Sequence, residues 1–136
     1  MIGKNNPFNI RYTFGSNWVG CAGQTKGFCN FSRLEYGVRA CAILLFRSYR
    51  KMNVLTVAEI ISRFAPSSEN DTDKYIQFVC NKCGIFPFDI PRDKFEMCAV
   101  MHAMSIFEGN SVSLSFIESV ISEFNIKLYG IKCSKR

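Results

Sequence analysis

A chain of 136 residues, 48% of them apolar, can bury one core without help from disulfides or metal, so a single domain over residues 1–136 is expected. The absence of low-complexity tracts argues against disorder away from the two ends, and no apolar window is long enough to cross a bilayer. The net charge of +6 favours a polyanionic partner, yet the basic residues are scattered, with small clusters only at Arg47, Arg50, Lys51 and at Lys132, Lys135, Arg136, so no groove for a specific nucleic acid is expected.

From Lys4 to Phe31 the chain is dense in Asn, Gly and aromatic residues, which suits turns and a small hairpin rather than helix. Tyr12, Phe14 and Trp18 lie there among glycines and amides, a mixture that suits sugar recognition because flat rings stack on pyranose faces while amides bond hydroxyls. Trp18 could equally plug this irregular lobe onto the core. Ser32 to Arg50 then carries Leu34, Val38, Cys41, Leu45 and Tyr49 at helical spacing, with Ala42, Ile43, Leu44 and Phe46 widening the stripe until the helix is apolar nearly all round. Ser32 and Glu35 have the spacing of a capping box, which gives Glu35 a structural role before any catalytic one.

Thr56 opens a second helix with another capping box, TVAE, whose inner face is Val57, Ile60, Ile61 and Phe64 and whose end is Ala65-Pro66. A polar turn leads to a helix from about Thr72 to Lys82, stopped by Gly84, and two prolines, Pro87 and Pro91, frame the loop that follows. FEMCAVMHAMSIF is a buried helix ending at Glu108-Gly109-Asn110, and a last helix spans Ser113 to about Phe124. The fold class is therefore mainly α (α+β): an irregular lobe at about 4–31, a helical core at about 32–124 and a basic tail at 125–136.

Glu108 is the carboxylate best placed for chemistry. It follows an apolar run at the C-terminal end of a buried helix, where lost solvation and the negative end of the helix dipole both favour the neutral acid that a general acid needs. The bland alternative is a glutamate that turns into solvent. A second constellation is Cys29, just ahead of the central helix, with His102, the only histidine; together they would make a nucleophile pair of the cysteine peptidase or amidase kind. On so apolar a helix, His102 also fits a satisfied core residue. The seven cysteines have no framework spacing and several sit at core positions, which points to synthesis in a reducing cytoplasm; Cys80 and Cys83 lack further ligands, so no metal or cofactor is expected.

The blocks Asn6-Pro7-Phe8-Asn9-Ile10-Arg11, Trp18-Val19-Gly20, Gly27-Phe28 with Phe31, Gly37-Val38-Arg39-Ala40, and Ala65-Pro66 followed by Glu69-Asn70-Asp71-Thr72 and Tyr75 resemble, in that order, a family of phage and prophage virion structural proteins. Its signatures read NPGNIR, WxG, GFxxF, GxRA and APxxENxTxxY; Phe8 stands at the glycine of the first. The same blocks are similar to segments that follow the catalytic glutamate in glucosaminidases and other lysozyme-like enzymes, and Ser105 to Asn110 is similar to the Glu-Asn-Gly end of a late helix in the phage family. The resemblance implies a lysozyme-like helical domain, circularly permuted so that the catalytic helix lies late in the chain.

On that resemblance, Glu108 protonates the glycosidic oxygen between N-acetylmuramic acid and N-acetylglucosamine, while Asn9, Arg11, Trp18, Asn70, Thr72 and Tyr75 line the cleft. A second carboxylate, from Glu69, Asp71 or Glu35, would activate water and make a muramidase. Internal attack by the sugar's own hydroxyl would make a lytic transglycosylase. The partners so implied are peptidoglycan strands and an immunity or virion protein, without membrane insertion. MIGKNNPFN lacks the apolar stretch of a secretory signal, so a soluble protein would reach the wall by a virion, a holin or a contractile secretion route. The alternatives are a non-catalytic virion or wall-binding protein on the same fold and, third, the cysteine enzyme.

Overall fold

In a computed structural model, which describes residues 1–13, 17–68 and 70–126, a small antiparallel hairpin precedes an assembly of helices. Strands β1 (Cys21–Thr25) and β2 (Phe28–Phe31) pair with a register irregularity between Cys21 and Gln24. The segment ahead of the hairpin runs alongside β2: Cys29 N–H donates to the Ile10 carbonyl at 3.0 Å, Tyr12 N–H to Gly27 at 2.8 Å, and Phe31 N–H to Lys4 at 2.8 Å. Asn6 makes this possible. It is wholly buried, its amide donating to the carbonyls of Ile10 (3.0 Å) and Cys29 (2.9 Å) and its Oδ1 accepting from Ile10 N–H (2.9 Å). Each polar atom of that side chain is satisfied, as burial demands.

Helix α1 (Leu34–Ile43) continues through a π-helical stretch, Leu44–Ser48, into α2 (Tyr49–Lys51), forming one rod. Its core face is the expected one, with Val38, Cys41, Leu45, Phe46 and Tyr49 buried. Its start differs from the expectation. The N-cap position falls on Arg33 with no side-chain cap bond; Ser32 gives its N–H to the Gly20 carbonyl at 2.9 Å, and the Glu35 carboxylate turns back to the Arg33 guanidinium at 3.1 Å. Packing of the hairpin on the rod decided this local competition. Gly37 marks the tightest approach of rod and N-terminal segment, since a Cβ there would lie 2.1 Å from the Asn5 carbonyl oxygen.

Helix α3 (Val57–Phe64) starts with the capping box read from TVAE: Glu59 N–H donates to Thr56 Oγ1 at 3.1 Å and Thr56 N–H to Glu59 Oε1 at 3.0 Å. Thr56→Ala is expected to lower stability by about 1 kcal/mol, read as a shift of the urea denaturation midpoint without a change in slope. Helix α4 (Thr72–Cys83) is capped by Asp71 and closed by Gly84 at φ +69°. Helices α5 (Lys94–Phe107) and α6 (Leu114–Glu123) complete the layer, α5 packing on α4 and α6 and supplying the buried Met97, Met101 and Met104. The chain is therefore mainly α with a two-stranded β element. No helix among the described residues is long and apolar enough to cross a membrane.

Candidate functional site

Two distant pieces of chain meet at the C-terminal end of α5. Glu108 is its C-cap residue, followed by Gly109 at φ +88°, a left-handed conformation that ends the helix and lets Asn110 swing back. The Asn110 amide donates to the Pro7 carbonyl at 2.8 Å and so fastens the helix end to the N-terminal turn. Within that turn Asn9 N–H donates to the Asn6 carbonyl at 3.2 Å, and Asn9 itself adopts φ +54°, a left-handed state that asparagine tolerates. Phe8, at the position where glycine was the reference, is a buried core residue outside the left-handed region.

The Glu108 carboxyl is held at both oxygens. Asn9 Nδ2 donates to Oε1 at 2.7 Å and the Tyr75 hydroxyl to Oε2 at 2.8 Å. Tyr75 is itself locked, stacked on Phe107 with centroids 4.1 Å apart. Burial first, then the charge and hydrogen bond of Glu108, push the Tyr75 phenol far above its ordinary range, so it stays protonated. A phenol O–H can donate to a carboxylate and accept from a carboxylic acid, so Tyr75 serves either protonation state, whereas the Nδ2 group that Asn9 turns to Glu108 can only donate.

Glu108 opens into a cleft of about 620 Å³ between the lobe and the helices. One wall is Asn9, Ile10, Arg11, Thr13, Asn17, Trp18 and Phe28; the other is Leu44, Tyr49, Arg63, Phe64, Ala65 and Asn70. The π-helical stretch matters here. The Tyr49 N–H reaches the Leu44 carbonyl, and this i to i+5 turn sets Leu44 and Tyr49, five apart in sequence, on the same wall. A cleft of this size, with a half-buried carboxyl among amides, guanidinium groups and aromatic rings, can take a polyhydroxylated ligand and deliver a proton to it.

Of the residues expected at a site, Glu108, Asn9, Arg11, Trp18 and Asn70 line the cleft, and Tyr75 lies behind the carboxyl rather than in the lining. Thr72 does not reach it, because its buried hydroxyl bonds the Ala65 carbonyl and closes the α3–α4 turn. Neither does Asp71, which caps α4 and leans toward Lys74, nor Glu35, which is paired with Arg33. Glu69 and Phe14 lie outside the described residues. Among the described residues that line the cleft, Glu108 is the sole carboxylate. Tyr49 and Arg63 were not singled out from the sequence; Tyr49 sat in the core stripe, and only the π-helical turn brings it to the cleft.

The cysteine pair is not assembled. Cys29 lies in β2, fully buried, with its Sγ against the Arg11 carbonyl at 3.6 Å, and burial pushes its thiol up to about 12. His102 Nδ1 is instead 2.7 Å from the Val112 carbonyl oxygen. Iodoacetamide at neutral pH is therefore expected to modify Cys29 slowly in the folded protein, because the thiolate is the reactive form; peptide mapping by mass spectrometry checks this, rapid labelling being the contrary result.

Over 131 residues the sequence is 35% identical to Protein P5 of Pseudoalteromonas phage PM2, an alignment covering 93% of this chain and 81% of that protein. The chain belongs to the family of phage PM2 Protein P5. No family model matches it. As a homologue of a bacteriophage protein, it has the phage kinship that the sequence blocks suggested.

Proposed function

We propose that the chain cleaves peptidoglycan glycan strands with Glu108 as the general acid, and does so as a lytic transglycosylase. The observation that carries this reading is Glu108, gripped by Asn9 and Tyr75, as the sole carboxylate among the described lining residues of a cleft that also presents Trp18, two arginines and two further amides. The acid protonates the glycosidic oxygen and the bond to the muramic acid C1 breaks, leaving an oxocarbenium-like centre. With Glu108 the one carboxylate among the described lining residues, the muramic acid's own C6 hydroxyl attacks C1, and its proton returns to Glu108. The product ends in a 1,6-anhydro ring, and no water is consumed. Trp18 gives a flat apolar face for a sugar ring, while Arg11 and Arg63 complement the carboxylates of muramic acid and its stem peptide.

Tyr75→Phe removes the phenol from Oε2 but keeps the ring stacked on Phe107. The expected result is a rate about tenfold lower, or roughly 1.4 kcal/mol of barrier, with the melting temperature little changed. A steady-state assay of fragment release checks it. The function is tested by digesting purified sacculi and analysing the soluble material. Glycan fragments support the reading, and cut stem peptides count against it. Binding of sacculi without any cut would instead support a structural virion or wall-binding protein, a reading favoured by the kinship with a phage protein.

A further inference from the structure

Tyr49 combines deep burial with an unused hydroxyl. It is only 6% exposed and lines the cleft, where the π-helical turn sets it on the same wall as Leu44. Among the described residues its phenol oxygen has no hydrogen-bond partner, and that oxygen is not one of the polar atoms sealed away from solvent, so it is open to the cleft. Buried phenols are ordinarily satisfied, as the Tyr75 hydroxyl is by Glu108. π-Helical turns are rare and recur at functional sites. Burial first, then the Cys41 thiol, push the Tyr49 phenol up to about 12 although Arg63 pulls it down, so at neutral pH it stays an O–H donor.

The Arg63 guanidinium lies over the same ring, its carbon 6.0 Å from the centroid. Its Nη2 reaches the Met52 sulfur at 3.7 Å, a weak acceptor, and among the described residues Arg63 has no ion pair. Glu59, one turn earlier on α3, is turned to the N–H groups of Leu55 and Thr56 at 3.0 Å. Across the cleft, both oxygens of Glu108 are taken by Asn9 and Tyr75. What singles the spot out is the idle hydroxyl more than the charge. A neutral acceptor would satisfy the phenol and leave the guanidinium unpaired, whereas a carboxylate has two oxygens and can answer both.

On the reading of the cleft as a glycan site, we propose that Tyr49 and Arg63 together bind a carboxylate of the substrate, Tyr49 giving its O–H and Arg63 its N–H groups. In peptidoglycan that carboxylate is either the free lactyl group of a peptide-free muramic acid or a carboxyl of the stem peptide. Both are carried by muramic acid and neither by N-acetylglucosamine. The pair therefore fixes which sugar of the alternating strand lies against the wall formed by Tyr49 and Arg63, and it disfavours chitin.

The test is calorimetric titration of the full chain carrying Glu108→Gln, so that nothing is cut, with three soluble ligands. These are the neutral tetramer of N-acetylglucosamine, the alternating N-acetylglucosamine and N-acetylmuramic acid tetrasaccharide with free lactyl groups, and the same tetrasaccharide bearing stem peptides. At least one acidic ligand is expected to bind about tenfold more tightly than the neutral one, and which of the two does so names the source of the carboxylate. Tyr49→Phe keeps the ring under Arg63 and should erase about tenfold of the acidic ligand's affinity while leaving the neutral tetramer unchanged; Arg63→Gln should do the same and remove the salt dependence. Unchanged melting temperatures show that the variants fold. Equal affinity for neutral and acidic ligands overturns the proposal alone, as does a Tyr49→Phe chain that keeps the native preference or weakens all three ligands alike. Binding of none of the three overturns the glycan reading of the cleft and the proposal with it.

Discussion

Glu108→Gln is expected to lower glycan cleavage by roughly a thousandfold, the share of rate that a positioned general acid supplies. Glutamine is nearly isosteric and keeps an acceptor for the Asn9 amide, while the Tyr75 hydroxyl can turn from donor to acceptor toward the new amide N–H. The cleft should therefore persist and only the proton be lost. Trp18 provides the control. It is the single tryptophan of the chain and lines the cleft, so its fluorescence reports occupancy by sugar. The variant should still change its emission on titration with soluble peptidoglycan fragments, with a dissociation constant close to the native one. Cleavage at native rates by the glutamine variant would remove Glu108 from the mechanism, whatever the fluorescence shows.

Asn6→Ala is expected to be the most damaging single truncation for stability. The side chain bonds two carbonyls and one N–H that have no access to water, on residues 10 and 29, beside the direct bond from Cys29 N–H to the Ile10 carbonyl. The Ile10 carbonyl keeps its bond from Cys29 N–H, and the Cys29 carbonyl and Ile10 N–H lose the amide at about 1–3 kcal/mol each, so a loss of roughly 2–5 kcal/mol is expected, a large part of the whole stability of a domain of this size. Urea denaturation followed by circular dichroism measures it. The damage should spread to function as well. The turn that Asn6 holds also carries Pro7 and Asn9, which contact Asn110 and Glu108. Fragment release should therefore fall even at temperatures where the variant remains folded. A loss below about 1 kcal/mol, the worth of one ordinary hydrogen bond, would mean that the lobe is held by something other than this amide.

The two expectations differ in how far the sequence alone could carry them. Glu108 was legible because its position combined three local signals: a long apolar run, a helix end and a following glycine. The helices were legible for the same reason, since their periodicity and the cap at Thr56 are local facts that tertiary packing left in place, whereas Asp71, read as a possible second carboxylate, proved to be the cap of α4, and Ser113 that of α6. Asn6 appeared only as part of a resemblance, because its importance lies in a partner 23 residues away. Where local and tertiary preferences competed, tertiary contacts won. Ser32 and Glu35 have the spacing of a capping box, yet the hairpin takes the Ser32 N–H and Arg33 takes the Glu35 carboxylate. Thr72 matched a sugar-site motif and proved to be a turn lock on Ala65. Tyr49 reads as a core residue on any α-helical wheel, and a π-helical turn is not written in apolar spacing.

The most direct test of one acid acting without water is to digest sacculi with the native chain in heavy-oxygen water and weigh the released glycan ends. Fragments ending in 1,6-anhydromuramic acid, with no heavy oxygen incorporated, are the predicted result. Reducing ends carrying the label would show that water is the nucleophile and that a second activating group exists, and fragments cut only in their peptides would contradict the assignment of Glu108 altogether.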